Sequence, residues 1–111
     1  MASKYQMIDD RPQENVFRVR RAAFTDPETF EREIECIFNR CWLYIAHESQ
    51  VPEHGDFVAT RLGTYPVFII RGGDSIIRCF YDACSHRGSK LTGRLSGNTK
   101  TIKCRYHGWC F

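Results

Sequence analysis

The spacing of apolar positions changes along the chain, and the changes mark its organisation. Through residues 1–24 charged and apolar side chains mix without a clear period, which reads as an extended arm. The next segment, 25–41, is "TDPETFEREIECIFNRC". Phe30, Ile34, Ile37, Phe38 and Cys41 fall within about 100° of one another at helical spacing, an apolar stripe expected to face a core. Cys36 lies on the opposite face. Thr25 and Glu28 have capping-box spacing, and Asp26 followed by Pro27 offers a second cap one residue later. This predicts a helix over 27–40.

Beyond residue 41 the period falls to two. "WLYIA" (42–46), "DFVATRL" (56–62), "YPVFIIR" (65–71), "SIIRCFYD" (75–82) and "NTKTIKC" (98–104) read as short strands. "VPEHGD" and "RGGDS" read as turns, the second as a tight hairpin on Gly72 and Gly73. The expected fold class is therefore mainly β: a small antiparallel domain over 42–111, preceded by the arm and one amphipathic α-helix. No internal repeat and no low-complexity tract interrupts it.

Composition supports a folded chain. At 111 residues and 42% apolar content, with eight Phe, there is material for one small core. The first thirty residues hold no apolar run of signal-peptide length, and no stretch approaches a membrane span, so the expected compartment is the cytoplasm. Six cysteines there point to metal chemistry or buried thiols before disulfides. Cys41 and Cys79 are expected in the core, and Cys36 and Cys110 as free thiols.

Charge is distributed unevenly. Residues 1–82 carry ten Lys and Arg against thirteen Asp and Glu, whereas residues 83–111 carry six basic residues and no acid. These are Arg87, Lys90, Arg94, Lys100, Lys103 and Arg105. Such a field suits either a solvated rim or a docking face for an acidic partner. No basic helix or aromatic–basic interleaving points to nucleic acid.

The same basic stretch holds "CSHRG" and "CRYHGW", with Cys84, His86, Cys104 and His107. Seventeen residues separate His86 from Cys104. Gly88 and Gly108 give each loop the freedom to turn its Cys and His toward one centre. Two such loops allow a single zinc ion with two thiolates and two imidazoles, or a binuclear cluster. Zinc sites commonly group a Cys pair and then a His pair, whereas here each loop mixes them. The mixed order favours a binuclear cluster in which both cysteines reach an inner iron and both histidines an outer one.

These motifs resemble the C-x-H-R-G and C-x-x-H-G-W signature of Rieske non-haem iron aromatic-ring-hydroxylating dioxygenases, in their large (α) subunit. The upstream "FTDPETFEREIECIFNRCWLYIAHESQVPEHGDFVA" is also similar to that family, closest to its benzoate, toluate and anthranilate branch. The resemblance covers roughly residues 14–111. It implies a [2Fe–2S] cluster, with Cys84 and Cys104 on one iron and His86 and His107 on the other. It further implies a separate catalytic domain with a mononuclear Fe(II), which dihydroxylates an aromatic substrate, an aromatic carboxylate by branch, with O2. That domain is not in this sequence, no residue here is assigned a catalytic role, and the chain reads as an N-terminal fragment ending before its Rieske domain closes. The implied partners are an NADH-dependent reductase, directly or through a ferredoxin, other α subunits and a small β subunit; no nucleic acid or membrane is implied.

In this comparison Ser89 and Tyr106 stand at the extra-cysteine positions of high-potential Rieske proteins, and Trp109 where those carry a cluster-bonding Ser. The resemblance thus implies a potential at the low end of the roughly −150 to +300 mV Rieske range. His47 and His54 do not match the family's iron-site motif; His47 is expected to be structural. Two rival readings remain: a stand-alone Rieske ferredoxin, and a structural zinc domain.

Overall fold

The structure is a computed structural model describing residues 6–111. The chain divides into two compact units, residues 1–41 and 42–111.

In the first unit, β1 (Ile8–Arg11) and β2 (Val16–Val19) pair antiparallel, Ile8 opposite Val19 and Arg11 opposite Val16. Asn15, with φ 53°, takes the left-handed conformation that reverses the chain between them. This ladder lies inside the segment expected to be an extended arm. Both its faces are largely exposed, so no alternation of polar and apolar positions betrays it. The first five residues of the expected arm lie outside the described residues.

A helical turn, α1 (Ala22–Thr25), precedes α2 (Pro27–Glu33), which continues as a π turn over Ile34–Phe38. Of the two caps on offer, Asp26 is used. Its carboxylate accepts from the Thr29 N–H and hydroxyl, both at 2.9 Å, and Pro27 fills the first helical position, where no N–H is needed. The stripe expected to face a core is another matter. Ile34 is half-buried, but Phe30 (55% exposed), Ile37, Phe38 and Cys41 are exposed. Periodicity identifies an apolar face; burial requires something packed on it.

In the second unit a four-stranded antiparallel sheet runs in the order β5-β4-β3-β6. β3 (Asp56–Leu62) and β4 (Tyr65–Arg71) form a hairpin, Leu62 opposite Tyr65 and Phe57 opposite Ile70. β5 (Ile77–Tyr81) pairs with β4, and the short β6 (Ser96–Asn98) with the start of β3. The inward face supplies Ala59 and Phe68, which pack with Leu91, Cys84 and Cys104 in one buried cluster. The expected mainly β, antiparallel class is what the chain adopts.

Three details differ from the sequence reading. Residues 42–46 join no ladder. Residues 98–104 are not one strand: only Asn98 belongs to β6, and Lys103 makes a lone bridge to Cys110. Between them the Thr99 hydroxyl donates to the Thr101 carbonyl at 2.8 Å and accepts from the Thr101 N–H, a local turn that competes with the ladder. In the β4–β5 turn the left-handed residue is Ser75 (φ 66°), not a glycine. Asp74 holds that turn by accepting from the Ile76 N–H and from both terminal nitrogens of Arg78.

Among the described residues no helix is long and apolar enough to cross a membrane.

Candidate metal centre

The two Cys/His stretches fold into loops with the same hydrogen-bond pattern. In the first, the Cys84 N–H donates to the Ser89 carbonyl at 2.8 Å, and the Gly88 N–H to the Cys84 carbonyl at 2.7 Å. In the second, the Cys104 N–H donates to the Trp109 carbonyl at 2.7 Å, and the Gly108 N–H to the Cys104 carbonyl at 3.0 Å. Gly88 (φ 69°) and Gly108 (φ 76°) hold equivalent places, four residues after each cysteine, in a conformation other residues adopt only at a cost.

The loops bring the four expected residues into two layers. Cys84 (4% exposed) and Cys104 (2% exposed) lie in the core cluster, while His86 and His107 are exposed above them. The two imidazole rings are 4.7 Å apart between centroids. His86 stacks flat on Trp109, and Tyr106 packs against His107 at 3.9 Å between centroids.

The Cys104 thiol is held below its ordinary pKa, first by the backbone N–H groups of Tyr106 and His107, then by the side chains of Cys84 and Ser89, against burial that opposes ionisation. Donors aimed at sulfur favour thiolate, the form a metal needs.

Among the described residues no three Cys, His, Asp or Glu side chains converge on one position suited to a single ion. A binuclear cluster needs only two protein ligands at each iron, and two buried thiols beneath two exposed imidazoles fit that donor set.

The other candidates lie elsewhere. His47 caps the turn Glu48–Gln50: its Nδ1 accepts from the Ser49 N–H, and its own N–H donates to Gln50 Oε1 at 3.0 Å. His54 Nε2 lies 2.9 Å from the Ser75 hydroxyl. Cys36 and Cys110 are exposed free thiols, as expected, but Cys41 and Cys79 are exposed as well and do not belong to the core. For Cys79 the reason is its place on β5, an edge strand: its partner Ile69 on the central strand β4 is buried, but Cys79 has no strand beyond it.

Two further residues bear on the site: Ser89, named above only for the cysteine it replaces, and Asp82, which the sequence did not single out. The Ser89 side chain is among the groups that hold the Cys104 thiol below its ordinary pKa, an influence across the two loops that no local spacing reveals. Asp82 is buried, and its Oδ1 accepts from the backbone N–H groups of Leu91 (2.9 Å) and Thr92 (2.8 Å). Its Oδ2 accepts from the Thr92 hydroxyl. Its sequence signal is faint: it is the last acid before the acid-free stretch.

The basic side chains are not equally free. Lys90 Nζ lies 3.9 Å from Asp82 Oδ2, and the Arg105 guanidinium lies across Gly93, where a Cβ would collide with it. Arg94, Lys100 and Lys103 are exposed.

A family model described as the Rieske [2Fe–2S] domain matches residues 41–111. The α subunit of toluate 1,2-dioxygenase from Pseudomonas putida is 43% identical over 105 residues, 95% of this chain and 23% of that relative. The structure is similar to naphthalene 1,2-dioxygenase from Rhodococcus sp., with a TM-score of 0.77 at 38% identity, over 81% of this chain and 20% of that one. It is similar also to a quaternary ammonium Rieske monooxygenase, with a TM-score of 0.73 at 38% identity, over 81% of this chain and 25% of that one. The chain thus spans about a quarter or less of the proteins it matches.

Proposed function

Since the chain belongs to the Rieske [2Fe–2S] domain family, we propose that Cys84 and Cys104 hold one iron of the cluster and His86 and His107 the other. On this reading it is the electron-relay part of an aromatic-ring-hydroxylating dioxygenase large subunit. The observation that carries the assignment is the layering of two buried thiols beneath two exposed imidazoles, on loops of one hydrogen-bond pattern.

When bound, the cluster supplies one-electron transfer at a potential raised by two neutral imidazoles in place of two thiolates. The chain's own residues set its surroundings. The Tyr106 and His107 N–H groups favour Cys104 as thiolate. Phe68, Leu91 and Ala59 keep water from the sulfur side. The exposed imidazoles of His86 and His107 each present a ring edge outward, where a nitrogen not bound to metal can hold or release a proton.

The complete subunit carries a mononuclear iron in a further domain and dihydroxylates an aromatic compound, an aromatic carboxylate being favoured by the toluate relative. Similarity to a quaternary ammonium monooxygenase at comparable TM-score supports the reading that substrate choice lies outside this segment. Electrons come from an NADH-dependent reductase, directly or through a ferredoxin, and the subunit assembles with its own copies and a small subunit. The basic stretch 87–105 forms part of the reductase-facing surface. Six cysteines with no disulfide among them suit a cytoplasmic protein.

The test is iron, zinc and acid-labile sulfide per chain on anaerobically purified protein, with its visible spectrum. Equal iron and sulfide, with Rieske-type absorption, is the expected result. Zinc in a colourless solution would overturn it in favour of a structural zinc domain.

A further inference from the structure

The two ligand loops are closed at their stems by different means. In the second loop, the residues two before and seven after the cysteine, Ile102 and Phe111, exchange backbone hydrogen bonds of 3.0 and 2.9 Å. The equivalent positions in the first loop are Asp82 and Leu91. Here the Asp82 backbone N–H is already committed to the β4 side, donating to the Pro66 carbonyl at 2.9 Å. The carboxylate takes over the closing role, accepting from Leu91 N–H at the same offset, and adds the Thr92 N–H and hydroxyl.

We propose that Asp82 is the positioning residue of the first ligand loop, its carboxylate standing in for the backbone rung that closes the second. Every donor it meets comes from the far end of that loop or just beyond it, and Lys90 Nζ sits at 3.9 Å as its counter-charge. Three donors and a nearby cation compensate a carboxylate whose side chain is 1% exposed. Opening this clamp would free residues 83–91 to move as one segment, carrying Cys84 and His86 with them. The inference rests on the ligand assignment above for its meaning, but the clamp itself is measurable without it.

The test compares Asp82→Asn, Asp82→Ala and Thr92→Val in the full chain. Hydrogen–deuterium exchange is read over residues 82–92 and 102–111, and the reduced cluster by electron paramagnetic resonance. An Asn oxygen keeps the acceptor, so Asp82→Asn should retain wild-type exchange and line width. Asp82→Ala should speed exchange over 82–92 by about tenfold or more, leave 102–111 unchanged, and broaden the resonance, since buried donors lose their acceptor. Thr92→Val, which removes only the hydroxyl contact, should show the same local change to a smaller degree. Should Asp82→Ala fail to fold, Thr92→Val decides. Equal acceleration of both loops, or none in 82–92, overturns the proposal. A wild-type chain that takes up no iron and sulfide overturns the ligand assignment instead and leaves the exchange contrast intact.

Discussion

The imidazole of His86 lies flat on the indole of Trp109, 4.8 Å between ring centroids and 3° between planes, joining the first ligand loop to the second. A ring stacked in this way loses rotational freedom, so under the proposed ligand assignment its nitrogen would be fixed in direction before metal arrives. Aromatic pairs contribute about 0.5–1.5 kcal/mol beyond area burial, or roughly two- to tenfold in an equilibrium. Trp109→Ala should therefore release iron to a chelator about two- to tenfold faster than wild type, and Trp109→Phe should recover most of the difference. Chelator-absorbance time courses on the loaded protein measure this; equal rates in all three would refute the coupling.

Ser89 gives a separate handle on potential. Its side chain helps hold the Cys104 thiol below its ordinary pKa, and a donor that favours negative charge on sulfur also favours the more negative, reduced state. A hydrogen bond of about 0.5–1.5 kcal/mol corresponds to on the order of 20–60 mV for one electron. Ser89→Ala is expected to lower the midpoint potential by that amount in a spectroelectrochemical titration, with iron content unchanged.

Cys84→Ser and His107→Ala should each abolish the visible spectrum of the loaded protein. His47→Gln and His54→Gln should leave it unchanged, because both side chains are engaged in turns away from the loops. Loss of colour in either of the latter would show that the ligand set has been misassigned.

Asp56 and Asp74 set an acid limit. The Asn98 amide, and then the Glu53 N–H, hold the Asp56 carboxyl below its ordinary 3.8. Arg78, and then the Ile76 N–H, hold Asp74 well below the usual carboxylate range. A folded-state pKa below the unfolded one contributes stability that is full above the unfolded value and lost as pH falls through the folded one. Denaturant midpoints should therefore hold steady from neutral pH to about pH 5 and fall below about pH 4. Asn98→Ala should shallow that fall.

The basic face requires selective probing. Lys103 is exposed, and Lys103→Glu should slow reduction by the electron donor at low salt, with the difference vanishing as salt rises. Lys90→Glu would also place a like charge beside buried Asp82, and is expected to lower thermal stability as well. Stopped-flow rates at several ionic strengths separate the two effects; a rate indifferent to salt in wild type would remove the docking role.

Much of this organisation was legible in the chain itself. Short apolar, β-branched and aromatic runs over 56–62 and 65–71 mark the central hairpin, and three consecutive residues of the second, Val67–Ile69, are buried. The mixed Cys/His order and the two glycines identify both loops, because metal chemistry constrains residue type and local turn geometry together. What the tertiary structure alone decided depends on what packs against what. The apolar stripe of α2 and the thiols of Cys41 and Cys79 are exposed, because a pattern marks a face without supplying its cover. Asp82 became part of the site only when the chain brought residues 82 and 92 side by side. Contacts between residues distant in sequence leave no local period, so their chemistry appears only after folding.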